Sequence, residues 1–113
     1  MTTYHFPHSE GMIRRFADVE IMNLITGAAK SAFSLSVATL RGVHPPTVSR
    51  LSDRAYYVID GTLTFTVAME KFQAAAGDAV LVPKGATHAM EGTARYVVVN
   101  APPFDAAAED AAS

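Results

Sequence analysis

The 113-residue chain contains no cysteine. That absence excludes disulfide bonds, catalysis by a thiol and zinc sites built from cysteine. Such a composition suits a reducing compartment, so we expect a cytoplasmic protein. The sequence also lacks a basic start and any long apolar run, and we therefore expect neither a signal peptide nor a membrane span.

Excess charge of one sign is also missing. Nine lysine and arginine residues stand against eleven aspartate and glutamate residues, which gives a formal net charge of -2 at pH 7. The basic residues are scattered and form no patch, so we expect no nucleic-acid partner. A chain of this length supports one hydrophobic core and is too short for two.

What the sequence does contain is a series of short apolar segments between turn residues, without a long stretch of helical period. This pattern predicts an all-β protein. The clearest strands are predicted at residues 13–16, 19–25, 31–40, 62–67 and 95–100. The last of them is β-branched on both faces, which predicts a strand that is covered on both sides.

The most informative segment runs from Gly77 to His88, an apolar strand that closes on a Pro-x-Gly turn. Pro83 cannot donate to a ladder, and Gly85 can adopt positive φ where the chain swings round. His88 follows three residues later and begins the next strand. The segment therefore delivers an imidazole to a defined place.

The pattern G-x5-P-x-G-x2-H in this segment resembles the second motif of the cupins, and residues 56–65, which run into a turn at Gly61, look like the end of the first. The resemblance implies a single-domain cupin, a double-stranded β-helix or jelly-roll antiparallel barrel, over residues 31–104. Residues 1–30 are expected to supply N-terminal strands. Residues 105–113, rich in alanine and acidic side chains, are expected to be a disordered tail.

The first cupin motif is degenerate where metal-binding members of the family carry H-x-H and a glutamate. Arg54 stands at the glutamate position, and the histidine positions fall at Thr47 and Ser49 or one residue further along, where no histidine occurs. His88 is the one secure survivor of the expected ligands. Because a single imidazole beside a fixed cation makes a poor metal site, we expect no metal cofactor.

An irregular metal centre is the alternative. His44 lies close to the first motif, and a shifted loop register would bring it toward His88. Those two histidines and one further group would then bind a divalent metal such as nickel, zinc, manganese or iron.

Without a metal, the inward residues of the barrel predict a small-molecule site. Arg54 presents a fork of donors that fits a carboxylate or a phosphate. Alternation along its strand turns Arg54 and Tyr56 inward and Tyr57 outward. We predict that Arg54 and Tyr56 bind the ligand together with His88 and His44. The alternative is that Arg54 pairs with an acidic residue and only props the barrel open, the candidates being Asp53, Asp60 and Glu91.

Three functions fit these residues. The first is a metal-free protein that binds or senses a small anionic or sugar-like molecule. The second is a metal-independent isomerase or lyase, in which the catalytic residues are His88 as acid or base and Tyr56 or His44 as its partner. The third is a metal-dependent, oxygenase-like enzyme with His44 and His88 on one ion. The sequence favours the first and leaves open whether the protein is an enzyme.

A homodimer is also expected. The N-terminal residues 1–30 are more than the barrel needs, and in many cupins such strands cross to the partner subunit. Pairing would also protect an exposed sheet edge. The alternative is that these strands fold back on their own barrel.

Overall fold

A computed structural model describes residues 4–112 of the chain. Within this range the regular structure is strands and short 3-10 turns, without an α-helix. The strands are β1 Met12–Phe16, β2 Val19–Ile25, β3 Ser34–Ser49, β4 Asp53–Val67, β5 Glu70–Ala75, β6 Ala79–Val82, β7 His88–Ala101 and β8 Glu109–Ala111. The prediction of an all-β protein is confirmed. No helix in the described range is long and apolar enough to cross a membrane.

All eight strands belong to one antiparallel sheet with the order β1-β2-β3-β7-β4-β5, while β6 pairs with β4 and β8 pairs with β3. The long strands β3, β7 and β4 form its centre. Strand β7 is covered on both edges, because β3 and β4 pair with it along most of its length. The N-terminal strands β1 and β2 pair in sequence onto β3 of their own chain. Residues 1–3 of the predicted N-terminal region lie outside the described range.

The core forms between the inward faces of the strands. On β4, Tyr56 and Val58 are buried while Tyr57 and Ile59 are exposed, so the predicted alternation is confirmed. Phe65 of the same strand is fully buried and stacks on Phe72, with ring centroids 5.8 Å apart.

The turn before β7 positions His88 as the motif predicted. Gly85 has a φ of 83°, which is the left-handed region that glycine enters without a steric cost. Its N–H donates to the carbonyl of Ser49 at 2.9 Å, which ties the turn to the end of β3. His88 then opens β7 opposite Thr47.

The C-terminal segment differs from the predicted disordered tail. Residues 106–108 form a 3-10 turn, and β8 pairs with the end of β3. Two ion pairs help to hold the segment in place: Arg50 binds Asp110 at 2.6 Å, and Arg54 binds Glu109 at 2.8 Å. A segment without large apolar residues gave no pattern from which this docking could be predicted. Ser113 lies outside the described range.

Candidate functional site

A cavity of about 280 Å³ lies inside the sheet, between its strands and the C-terminal segment. Its walls come from β1, β2, β3, β4 and β7 and from residues 104–111. Three of the predicted site residues line it, namely His44, Tyr56 and Arg54. His88, the fourth, is placed behind Tyr56 and lines a separate depression. The volume is at the lower end of the range for small-molecule sites.

His44 lines this cavity, and one of its ring nitrogens, Nε2, has no hydrogen-bond partner within residues 4–112. Its Nδ1 lies 2.8 Å from the carbonyl oxygen of Pro45, and because a carbonyl only accepts, Nδ1 must carry the proton and donate. In the neutral ring, Nε2 is then an unprotonated acceptor. Burial lowers the pKa of His44 and the charge of Arg54 lowers it further, although the bond to Pro45 opposes both. His44 is therefore neutral at pH 7.

Tyr56 and His88 form a buried pair, in which the Tyr56 hydroxyl lies 2.9 Å from His88 Nε2. Burial raises the pKa of Tyr56, against the opposing effect of Arg54, so the phenol keeps its proton. Burial lowers the pKa of His88 to about 3, helped by the charges of Arg54 and His44. The pair therefore consists of a neutral imidazole and a protonated phenol at pH 7, joined by one hydrogen bond that fixes the position of the Tyr56 hydroxyl.

Arg54 is held from two sides at the wall of the cavity. Its Nε–H donates to Asn100 Oδ1, and one terminal nitrogen donates to Glu109 Oε1 at 2.8 Å. The acidic partner is thus Glu109, and the three nearer candidates proposed from the sequence are wrong for this role. One of them, Asp53, instead accepts the backbone N–H of Lys84.

Sequence reasoning missed several cavity residues. Arg14 lines the cavity with its guanidinium carbon 4.4 Å from the centroid of the Phe104 ring. Alternation offered a signal here, because Arg14 and Phe16 share the inward face of β1. Phe104 and Glu109 follow two consecutive prolines in a segment without periodic pattern, so no such signal existed for them.

Many cupins hold a divalent metal ion, which is bound by side-chain donors of the barrel. The rings of His44 and His88 lie 5.4 Å apart between centroids. Within residues 4–112 no group of three or more histidine, aspartate or glutamate residues is close enough to hold an ion. His44 Nδ1 and His88 Nε2 already have hydrogen-bond partners, and the Arg54 cation lies beside them. These residues do not fit a transition-metal centre, which usually needs three or more ligands.

The buried neutral state of His88 predicts acid sensitivity. The pKa of His88 is about 3 in the fold, against 6.5 in the unfolded chain. Between these values the unfolded chain binds more protons, so stability is present above pH 6.5 and is lost as the pH falls, by up to about 1.4 kcal/mol per pH unit. We expect His88→Gln to flatten this dependence. Urea unfolding at pH 7, 6, 5 and 4 measures it, with the exposed His8→Gln as the matched control. Equal pH slopes in the wild type and His88→Gln would show that His88 does not titrate in this way.

Taken together, the cavity offers a neutral base, His44 Nε2, and a protonated acid, the Tyr56 hydroxyl. Such a pair can remove a proton from one atom of a bound molecule and give one to another. Burial excludes bulk water from both groups, which strengthens their interactions with a bound molecule.

Comparison with known proteins identifies the fold. The sequence model of the cupin domain matches residues 43–109. A search of curated proteins gave no significant match. Among solved structures, Streptomyces PAC13 with uridine is 21% identical, with a TM-score of 0.91 over 99% of this chain and 92% of that one. Another structure of that protein, described as a nucleoside dehydratase, has a TM-score of 0.90 at 20% identity, over 98% and 92% of the two chains.

Two further structures extend the likeness. KdgF from Halomonas sp. is 19% identical, with a TM-score of 0.77 over 92% of this chain and 97% of that one. The polyketide cyclase RemF from Streptomyces resistomycificus is 17% identical, with a TM-score of 0.72 over 88% and 79%. At these identities the likeness concerns the fold, an antiparallel cupin barrel. Since the sequence model spans more than half of the residues, the chain belongs to the cupin domain family.

Proposed function

We propose that this cupin is a metal-independent lyase of the dehydratase type, which acts on a small sugar-like or nucleoside-like molecule. His44 is the base and Tyr56 is the acid. The observation that carries the proposal is the free Nε2 of His44, left as an acceptor beside the cavity because Nδ1–H is committed to Pro45. An unprotonated imidazole nitrogen in this position can accept a proton from a bound molecule.

The reaction follows from the two groups. His44 Nε2 takes a proton from a carbon next to a carbonyl group, and the electrons of that C–H bond form a carbon–carbon double bond. The C–O bond of the β-hydroxyl group breaks, and its oxygen takes the Tyr56 proton and leaves as water. Transfer of the proton from His44 back to the Tyr56 phenolate completes the cycle.

Arg54 and His88 support the acid in this scheme. The positive charge of Arg54 lowers the pKa of Tyr56 against the effect of burial, so it stabilises the transient phenolate. His88 Nε2, at 2.9 Å, is the hydrogen-bond partner that orients the hydroxyl. With its proton on Nε2, the neutral ring donates to the Tyr56 oxygen, which leaves the Tyr56 proton for the departing hydroxyl group and stabilises the phenolate. Arg54 also lines the cavity, where its remaining N–H groups can bind ligand oxygens.

The likeness to a nucleoside dehydratase across 98% of the chain supports this choice of reaction class. The experiment is a screen in D2O of β-hydroxy carbonyl compounds, comprising aldehyde and keto sugars and oxidised nucleosides, with protein treated with EDTA. Proton NMR follows deuterium entering the carbon next to the carbonyl and the appearance of vinyl protons. We expect both signals with the wild type and neither with His44→Gln. Signals that survive in His44→Gln, or that require added metal, would contradict the proposal.

We also propose that the protein forms a homodimer through the outer face of its sheet. In register across β4, β7 and β3 lie the apolar rows Tyr57–Val97–Val37 and Ala55–Val99–Leu35. Leu81 of β6 extends the second row next to Ala55 and is 66% exposed. An apolar face that crosses four strands is more than an ordinary monomer surface carries, and a second copy would bury it.

Introducing a charge tests this interface. We expect Leu81→Glu to convert the dimer to a monomer, because a carboxylate would be desolvated within the apolar face. Light scattering coupled to gel filtration gives the mass. Met69→Glu is the control, since Met69 is 96% exposed at the turn between β4 and β5, away from this face. A wild-type monomer, or a dimer that persists in Leu81→Glu, would contradict the prediction.

A further inference from the structure

Four charged side chains line the cavity, namely Arg14, Arg54, Glu109 and Asp110. Arg54 pairs with Glu109, and Asp110 pairs with Arg50, which lies outside the lining. Arg14 has no carboxylate within salt-bridge distance among residues 4–112. Of the four charges in the lining, that of Arg14 is therefore the one without a direct ionic partner in the described part of the chain.

Arg14 is also built into the wall rather than left on the surface. Its side chain lies on the inward face of β1, half-buried, and stacks over the ring of Phe104 at 4.4 Å. Stacking on one face holds the guanidinium plane while its N–H groups, which point out along the edge, stay available to a planar oxyanion. Burial lowers the pKa of Arg14 and nearby Glu109 opposes this, as expected for a cation without a direct partner.

The neighbouring Arg15 provides a comparison with Arg14, because it does not line the cavity. Arg15 points outward, its side chain is 70% exposed, and it pairs with Glu20 at 2.7 Å. Arg54 differs from Arg14 as well, since two of its donors are committed to Asn100 and Glu109. Arg14 is thus the cavity cation with the most donors left for a ligand.

A neutral donor lines the same cavity. Ser36 donates its hydroxyl to Asn23 Oδ1 at 2.8 Å, and both residues line the cavity. Because the Asn23 oxygen is occupied as an acceptor, its NH2 group is the part left to bind a ligand oxygen. The cavity therefore combines a cation and an amide donor.

We infer that Arg14 binds an anionic group, a carboxylate or a phosphate, of the molecule held in the cavity, so that the substrate is an anionic sugar-like compound. The inference rests on the proposed function for the rest of that molecule and deepens it by naming its charge. The Phe104 ring orients Arg14, and the C-terminal segment therefore contributes to specificity. The anion is the ionic partner that Arg14 lacks among residues 4–112.

The test is binding to the full chain, measured by calorimetry and by amide NMR at low salt. The probes are glucuronate for a carboxylate, inorganic phosphate for a phosphate, and glucose as the neutral match of glucuronate. We expect one or both anions to bind at least about tenfold more tightly than glucose, with binding weakened by salt. The anion that binds more tightly identifies the group.

Variants locate the site. Arg14→Gln should lose about tenfold or more in anion affinity, Arg14→Lys should retain part of it, and the adjacent Arg15→Gln should keep it in full. His44→Gln should still bind the anion, and this result separates the inference from the proposed reaction. If His44→Gln loses turnover but binds the anion, the loss is due to His44 and the assignment of Arg14 stands. Equal affinities for glucuronate and glucose, no binding of either anion, or equal losses in Arg14→Gln and Arg15→Gln would overturn the inference.

Discussion

Replacing His44 with glutamine is expected to lower kcat/KM about a hundred- to ten-thousandfold on a substrate found by the exchange screen, because the side chain that accepts the proton is lost. Glutamine keeps an N–H donor for the Pro45 carbonyl but offers no basic nitrogen to the cavity. The wild-type rate should be flat with pH above 6.5 and should fall only at lower pH, since burial lowers the pKa of His44.

The matched control for this change is His8→Gln, which alters an exposed histidine in the turn before β1. That variant should retain the wild-type kcat/KM. Equal circular dichroism spectra and unfolding midpoints would show that His44→Gln is folded. A folded His44→Gln variant with wild-type turnover would eliminate His44 as the base.

Replacing Arg54 with methionine is expected to lower the free energy of unfolding by about 3 kcal/mol or more, because the change leaves Asn100 and the Glu109 carboxylate without their partner. The Arg54 side chain is only 6% exposed, so water does not replace it. Urea unfolding measures the loss. The double variant Arg54→Met with Glu109→Gln should recover part of it, since the unpaired charge is then gone.

A second arginine that pairs with the same C-terminal segment provides the comparison. Arg50 pairs with Asp110 at nearly the same distance, but its side chain is 57% exposed. We expect Arg50→Met to cost no more than about 1 kcal/mol, because solvent screens an exposed pair. Similar losses in Arg50→Met and Arg54→Met would show that burial of the Arg54 pair has no special effect.

The sequence predicted those parts of the fold that depend on local patterns. The Gly77–His88 motif and the alternation at Tyr56 depend on turn geometry and on the period of two in a strand, and both are properties of a few consecutive residues. The start of β7 at His88 and the inward side of β4 followed directly. The family resemblance then gave the architecture, which the comparisons confirm.

The site was harder to predict, because its contacts join distant parts of the chain. Glu109 comes from a tail whose composition favours disorder, and Phe104 is the last residue of the predicted barrel. They are held by contacts to Arg54 and Arg14 that are 55 and 90 residues away along the chain. The state of His44 depends on one hydrogen bond to the next residue. That bond lies in a part of β3 with two prolines, where the register to β7 shifts between His44 and Thr47, so simple alternation does not describe it. Such features appear only when the strands are assembled.

The central claim is that His44 holds a free, unprotonated Nε2 beside the cavity at neutral pH without a metal. Two-bond proton–nitrogen NMR of EDTA-treated, 15N-labelled protein at pH 7 tests it most directly, with His44→Gln used to assign the signals. The account predicts a neutral ring with the proton on Nδ1, whose Nε2 resonance is that of an unprotonated nitrogen and stays so down to below pH 6.5. A ring that is protonated at pH 7, or whose proton is on Nε2, would contradict it.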